Sequence, residues 1–163
     1  MNNSVENLVN LEARLLDAGN LDDWLKLYSE QATYWVPMDE NADPLKNSSI
    51  MYETFERLSM RVHQILREAR VAQSPPSQMM RMITNIEVEQ MGADSDTALA
   101  RWNLLLLESR AGDWRQHGLG EVRMFPAKCE ARFQKAGGEW QFIQKKIVLL
   151  NRMLPMEGLS FII

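Results

Sequence analysis

The chain reads as an α+β protein in which helices come first and an antiparallel meander follows. Two observations carry this. Apolar residues recur at helical spacing before the breaker Ser74-Pro75-Pro76-Ser77, and after it the period falls to two. Helices followed by a run of strands, without alternation of the two, argue against a βαβ arrangement. With 163 residues, of which 45% are hydrophobic and 25% charged, the chain suits one domain, 1–163, with a sizeable core.

Val5, Leu8, Leu11, Leu15 and Ala18 follow helical spacing, and Gly19 is suited to end that helix in the left-handed conformation. Asn20 then caps a second, short helix, with Asp23 in a box-like position and Leu21, Trp24, Leu25 and Tyr28 as its buried stripe. The helical region covers about 5–29. Thr33-Tyr34-Trp35-Val36, β-branched and aromatic, predicts a strand over 33–36 that Pro37 stops. A polar loop spans Asp39 to Ser49. Met51, Phe55, Leu58, Val62, Ile65 and Ala69 recur at steps of four, three, four, three and four, which predicts a helix over 51–69. Glu53 and Arg57 form an i,i+4 pair on its wet side.

Strands follow over about 79–151. Met80, Met82, Thr84, Ile86 and Val88 supply a core face and alternate with Arg81, Asn85, Glu87 and Glu89. A turn at Gly92–Asp96 leads into Thr97–Ser109, where Trp102, Leu104 and Leu106 share one face and Leu105 and Leu107 the other. A strand apolar on both faces is central or meets another subunit. After Ala111-Gly112-Asp113 comes Trp114 to Gln134, whose Gly118, Gly120 and Pro126 mark bulges or bends. Ala136-Gly137-Gly138 closes a hairpin onto a last strand, Glu139–Asn151, and the segment Leu159–Ile163 is unusually apolar. The long helix is expected to lie across a strongly curved sheet and leave a cone-shaped cavity.

Several function classes lose support at once. The formal charge, 18 − 22 = −4, comes without a basic cluster, so neither nucleic acid nor an anionic membrane surface is an expected partner. The first residues lack the basic and apolar regions of a secretory signal, and no window reaches the ~18 apolar residues of a membrane span, which points to a soluble cytoplasmic protein. One cysteine, Cys129, and two histidines, His63 and His117, exclude an internal disulfide, a cysteine-rich zinc site and a four-ligand iron–sulfur cluster. The two histidines also lack the helical spacing of a two-histidine, one-carboxylate iron site. Asp39-Glu40-Asn41-Ala42-Asp43 imitates half of a calcium loop, but Pro44 replaces the glycine and Ile50 the final glutamate. No dinucleotide, Walker or nucleophile-elbow motif occurs. Cys129 beside Lys128 is foremost a small core residue, as are Met80 and Met82 on their alternating strand.

A set of short segments, in order along nearly the whole chain, resembles the small (β) subunit of bacterial aromatic-ring-hydroxylating dioxygenases. They are Leu11-Glu12-Ala13-Arg14-Leu15-Leu16-Asp17, Trp24-Leu25, Leu27-Tyr28 and Ala32-Thr33-Tyr34-Trp35-Val36-Pro37. Ser49-Ile50-Met51-Tyr52, Arg57-Leu58 with Arg61-Val62, and Pro75-Pro76-Ser77 follow. Ile83-Thr84-Asn85-Ile86-Glu87-Val88 and Lys145-Lys146-Ile147-Val148-Leu149-Leu150-Asn151 complete the set, the last leaning towards the benzoate and toluate branch. Gly118–Cys129 departs from the pattern.

The resemblance implies the cone-shaped fold shared with nuclear transport factor 2, scytalone dehydratase and ketosteroid isomerase. It implies a partner, the large (α) subunit, that carries a Rieske 2Fe-2S cluster and a mononuclear Fe(II), leaving no cofactor, metal or catalytic residue in this chain. Electrons would come from NAD(P)H through a reductase, with or without a ferredoxin, to a hexamer of three large and three small subunits. Leu105, Leu107, Val148, Leu150, Phe161 and Ile163 are the expected interface residues. The alternative is a stand-alone isomerase, dehydratase or cyclase of the same fold, with His63 and Tyr34 or Asp23 as acid and base in the cone.

Overall fold

Helix α1, Val5–Asp17, begins where the Ser4 side chain accepts the Asn7 amide at 3.3 Å. It ends where Gly19 takes a φ of +71° and Asn20 N–H returns to Leu15 O at 2.9 Å. The computed structural model describes residues 4–67, 75–90, 96–110, 121–154, 159 and 161–163. The buried stripe of α1 is Val5, Val9, Glu12, Ala13 and Leu16. This is rotated from the expected stripe: Leu8 and Leu15 lie at its edge, and Ala18 is exposed. The rotation brings a carboxylate, Glu12, into the interior.

Helix α2, Leu21–Leu25, is shorter than expected. Asn20 makes no side-chain cap bond, and Asp23 instead holds Lys26 at 2.7 Å in solvent. The chain leaves helix here because pairing with a distant strand begins. Strand β1, Tyr28–Pro37, replaces both the expected end of the helix and the shorter strand 33–36. Tyr28 is buried as expected, but as a strand residue whose ring stacks on Phe142 at 4.8 Å. Strand β2, Ser49–Thr54, takes the first turn of the expected long helix and pairs antiparallel with β1, Met51 opposite Val36. Helix α3 is Phe55–Arg67, with Leu58 and Val62 buried. Ala69 lies outside the described residues. Glu53 is therefore a strand residue, 6% exposed, bound by both Arg57 (3.1 Å) and Arg61 (2.5 Å), and not a wet-face helical partner.

Strands β3 (Gln78–Gln90), β4 (Thr97–Ser109), β5 (Val122–Ala136) and β6 (Glu139–Leu149) form the meander, and the six-stranded sheet runs β2-β1-β6-β5-β4-β3. Among the described residues only the β1–β6 pairing is parallel. Register shifts at Val36/Pro37, Thr84/Glu87 and Arg132/Phe133 bend the sheet, and Asn85, at φ +54°, sits in the second of them. Gly137 and Gly138, at φ +59° and +86°, make the two-residue hairpin between Ala136 and Glu139. The last strand stops at Leu149, before Asn151. The expected turns at 92–96 and 111–113, with His117, Gly118 and Gly120, lie wholly or largely outside the described residues.

Helix α1 packs on β3 and α3 on β1, so one face of the sheet is inward. Trp102, Leu104 and Leu106 point inward as expected, with Phe125, Phe133, Phe142, Ile147 and Leu149 from the neighbouring strands. On β3 the expected core face is reversed before the Thr84/Glu87 register shift, whereas Ile86 beyond Thr84 packs against the core as expected. Met80 and Met82 are 52% and 49% exposed, while Met79, Arg81 and Ile83 turn inward. Both parities of β3 carry apolar side chains near Met79–Ile83, so alternation alone does not choose between them; the fixed orientation of β4 does. Where an open cone was expected, Phe161, Ile162 and Ile163 are packed into the core at 3%, 2% and 0% exposure.

Candidate functional site

The inward face holds a buried polar cluster. Glu12 on α1 and Lys145 on β6 are each 3% exposed, with Lys145 Nζ donating to Glu12 Oε1 at 2.7 Å. The same oxygen accepts Trp24 Nε1–H at 3.3 Å and the Tyr28 hydroxyl. Lys145 Nζ also stands 5.3 Å from the centre of the Tyr34 ring. Burial, reinforced by the Glu12 charge, pushes the Tyr28 and Tyr34 hydroxyls well above the ordinary phenol range, so both are neutral donors. Burial likewise pushes the Cys129 thiol up to about 12, with Lys145 only partly opposing it. A thiol so held is a core residue, not a nucleophile.

A second cluster anchors the closing residues. Arg81 Nη1 meets Asp17 Oδ1 at 2.6 Å, the Arg81 amide meets Asp17 Oδ2 at 2.8 Å, and Arg81 Nη2 donates to Ile162 O at 2.5 Å. The Tyr34 hydroxyl donates to Ile163 O. Phe161 meets Phe125 edge-on at 5.6 Å beneath the Arg123 guanidinium. Arg123 Nε is itself held by fully buried Glu108 at 2.6 Å.

The residues expected to form a catalytic cone are not brought together. Tyr34 is fully buried, but the Asp23 side chain is 60% exposed and paired with Lys26, and His63 lies on the exposed side of α3. The interior cluster therefore has donors and one neutralised carboxylate, and lacks a free acid–base pair. Asp39 and Asp43 use their side chains to cap local turns, accepting Asn41 N–H (3.0 Å) and Leu45 N–H (2.9 Å). Among the described residues no three His, Cys, Asp or Glu side chains converge as a metal site. With a single cysteine, buried and protonated, the donor set does not fit a Rieske cluster, which needs two cysteines and two histidines. Among the described residues no helix is long and apolar enough to cross a membrane.

The outward face of the sheet is divided. Cross-strand pairing aligns Met82, Leu105, Pro126 and Leu150 in one row, the last through Leu150 N–H to Pro126 O at 2.9 Å. Met80, Leu107 and Met124 form the next row. Met124 and Leu150 are each 60% exposed, and Leu105 and Leu107 are half-buried. Beyond them the face turns polar around a hollow of about 350 Å³ that includes Glu87, Arg101, Lys128, Glu130 and Lys146.

Of the expected interface residues, Leu105, Leu107 and Leu150 lie on this face. Val148 is adjacent but only 8% exposed. Phe161 and Ile163 are corrected: they are internal core, anchored by Arg123 and Tyr34, and have no surface to offer. Sequence reasoning missed the outward methionines and the Glu12–Lys145 pair. Glu12 was detectable in principle, since it falls three residues after Val9 and four before Leu16 on the buried stripe.

Residues 11–156 match the family model described as ring hydroxylating beta subunit. The chain is 36% identical over 100 residues to benzoate 1,2-dioxygenase subunit beta of Acinetobacter baylyi, a match covering 58% of this chain and 59% of that one. It is 26% identical to the small oxygenase component of the p-cumate 2,3-dioxygenase system of Pseudomonas putida, covering 98% and 85% of the two. The solved beta subunit of benzoate 1,2-dioxygenase from Burkholderia mallei superposes with a TM-score of 0.71 at 25% identity, over 97% of this chain and 95% of that one. At the level of fold alone, a putative scytalone dehydratase of Novosphingobium aromaticivorans (TM-score 0.62, 13% identity, 89% and 80% covered) shares the architecture.

Proposed function

This chain belongs to the family of ring-hydroxylating β subunits, and we propose from this that it is the structural small subunit of a cytoplasmic oxygenase that adds both atoms of O2 to an aromatic compound. The product is a cis-dihydrodiol. Catalysis resides in a large subunit that carries a Rieske 2Fe-2S cluster and a mononuclear Fe(II), and NAD(P)H supplies electrons through a reductase, with or without a ferredoxin. Three large and three small chains make the assembly. The relatives that act on benzoate and cumate make an aromatic acid the favoured substrate class.

The observation that supports a scaffolding role is the outward apolar face. Its two rows align Met82, Leu105, Pro126 and Leu150, and Met80, Leu107 and Met124, in register across the sheet. A contiguous patch of this kind on an acidic chain is the surface a permanent partner buries. We assign it to the large subunit, with Leu105, Leu107 and Leu150 retained from the sequence expectation and Met80, Met82 and Met124 added.

The test is co-expression with a Rieske-type large subunit and size-exclusion chromatography of a Leu105→Asp/Met124→Asp variant. Both positions are on the outward face, so the variant's own far-ultraviolet spectrum and melting temperature stay near wild type while the hexamer is lost. An intact hexamer refutes the assignment of this face.

A further inference from the structure

Two inward-pointing donors end on the chain's own closing residues. Tyr34 gives its hydroxyl proton to Ile163 O, and Arg81 Nη2 gives one to Ile162 O at 2.5 Å. Neither acceptor belongs to the sheet or the helices. The Arg81 side chain is 2% exposed, yet its Nε–H finds no acceptor among the described residues. A buried donor without a partner is costly and uncommon in native structures.

The geometry of the guanidinium says what is missing. Nε and Nη2 lie along one edge, and that edge grips the two oxygens of a carboxylate side-on. Here the edge meets a single carbonyl oxygen and leaves one N–H idle. The group cannot simply turn, because Asp17 holds Nη1 at 2.6 Å and the Arg81 amide at 2.8 Å. Apolar residues continue from Arg81 across the sheet: fully buried Leu106 pairs with Arg81, Phe125 pairs with Leu106, and Phe161 meets Phe125 edge-on. Asp17 and Ile162, the two partners of Arg81, also line a groove of about 980 Å³ between the end of α1, the end of α3 and the start of β3. The arginine edge therefore lies behind one residue of the closing segment.

We propose that Arg81 and Tyr34 form a carboxylate-binding site that Phe161–Ile163 closes in this conformation, and that its ligand class is a carboxylate on a compact apolar body, such as an aromatic or branched-chain acid. The ligand's two oxygens lie along the Nε/Nη2 edge in place of the Ile162 carbonyl, and one of them also accepts the Tyr34 hydroxyl in place of Ile163 O. Its apolar body takes the volume of the closing side chains. The site lies wholly within this chain and needs no large subunit, so it stands or falls separately from the assembly proposed above.

Benzoate and toluene are the probes, since they share a ring and differ in the carboxylate. Methyl NMR titrations use the full chain, a chain ended at residue 160, and that shorter chain with Tyr34→Phe or Arg81→Lys. Relief of competition by the closing residues is expected to tighten benzoate at least about tenfold in the shorter chain. Tyr34→Phe removes one hydrogen bond and should then weaken benzoate about fivefold, leaving toluene unchanged. Equal binding of both probes, indifferent to Tyr34→Phe and Arg81→Lys, means an apolar hole and overturns the proposal, as does a folded shorter chain that binds no benzoate. If the shorter chain does not fold, full-length Ile163→Ala carries the test. Its Ile162 and Leu106 methyl signals must shift with benzoate and stay fixed with toluene; unmoved signals at saturating benzoate overturn the proposal equally.

Discussion

Replacing Glu12 by leucine removes the acceptor on which Lys145, Trp24 and Tyr28 converge. Lys145 is 3% exposed, so its ammonium cannot reach water by a rotamer change. Breaking a buried pair from one side typically costs about 3–5 kcal/mol, because the remaining charge is left without compensation. Two factors work in opposite directions here. The Tyr34 and Trp102 rings, 5.3 and 6.0 Å from Lys145 Nζ, offer partial cation–π relief. Against that, the Tyr28 hydroxyl and the Trp24 N–H are orphaned as well, each a penalty of about 1–3 kcal/mol if unmet. These terms overlap in one network, so about 4 kcal/mol is the expected loss, a large part of the roughly 5–15 kcal/mol a native domain holds. For a chain of this length that lowers the melting temperature by about 8–16 °C. Urea unfolding followed by tryptophan fluorescence measures it, with Lys145→Met and the double variant completing the cycle. The double variant should recover more than half of the loss, since no buried charge remains. A single-variant loss under about 1 kcal/mol, or strict additivity of the two substitutions, would refute the claim that this pair is a mutually dependent buried unit.

Three further outcomes are expected. The Cys129 thiol, whose pKa burial raises from 9.0 to about 12, stays protonated in the fold while an unfolded chain ionises, so its contribution to stability is complete below pH 9 and is lost as pH rises towards 12. Urea melts between pH 7 and 10.5 should therefore fall less steeply for Cys129→Ala than for the wild type, and parallel curves would contradict this. Gly137→Ala should cost about 1 kcal/mol through its φ of +59° alone, since a Cβ there meets nothing within 4 Å, and Gly137→Asn should cost less. Phe142, fully buried against Tyr28 and Phe133, should lose about 3–5 kcal/mol on truncation to alanine, whereas Met82→Ala on the outward face should change the isolated chain by under about 0.5 kcal/mol.

The hairpin at Gly137-Gly138, the end of α1 at Gly19 and the two-sided character of Thr97–Ser109 were legible along the chain, because each rests on local chemistry: glycine's access to positive φ, or the period-two geometry of a strand. The family resemblance was legible too, since ordered short segments survive where no single motif is diagnostic. The errors cluster where distant segments meet. Tyr28 has helical spacing from Trp24, yet the Leu27 carbonyl accepts Phe142 N–H at 2.9 Å and the strand begins there. Met51 fits the apolar stripe of the following helix, yet pairs with Val36.

The interface expectation divides along the same line. Leu105 and Leu107 were placed on a second apolar face by alternation, and Leu150 was named an interface residue with the family resemblance; all three lie on the outward face. Phe161 and Ile163 were assigned there because an apolar closing segment looks like surface waiting for a partner; Arg81 and Tyr34 turn it inward. Met80 and Met82 went the other way, because a methionine is equally at home in a core or on a contact face.

What the order of residues settled is the α+β arrangement, the family and the shortage of metal ligands, all properties of composition and short-range pattern. Which side of β3 faces the core, what fills the cone, and that Glu12 and Lys145 form a buried pair were settled only in three dimensions. A side chain's chemistry is local, but its burial and its partner depend on the register of strands far away in the chain, and that register is a property of the whole sheet.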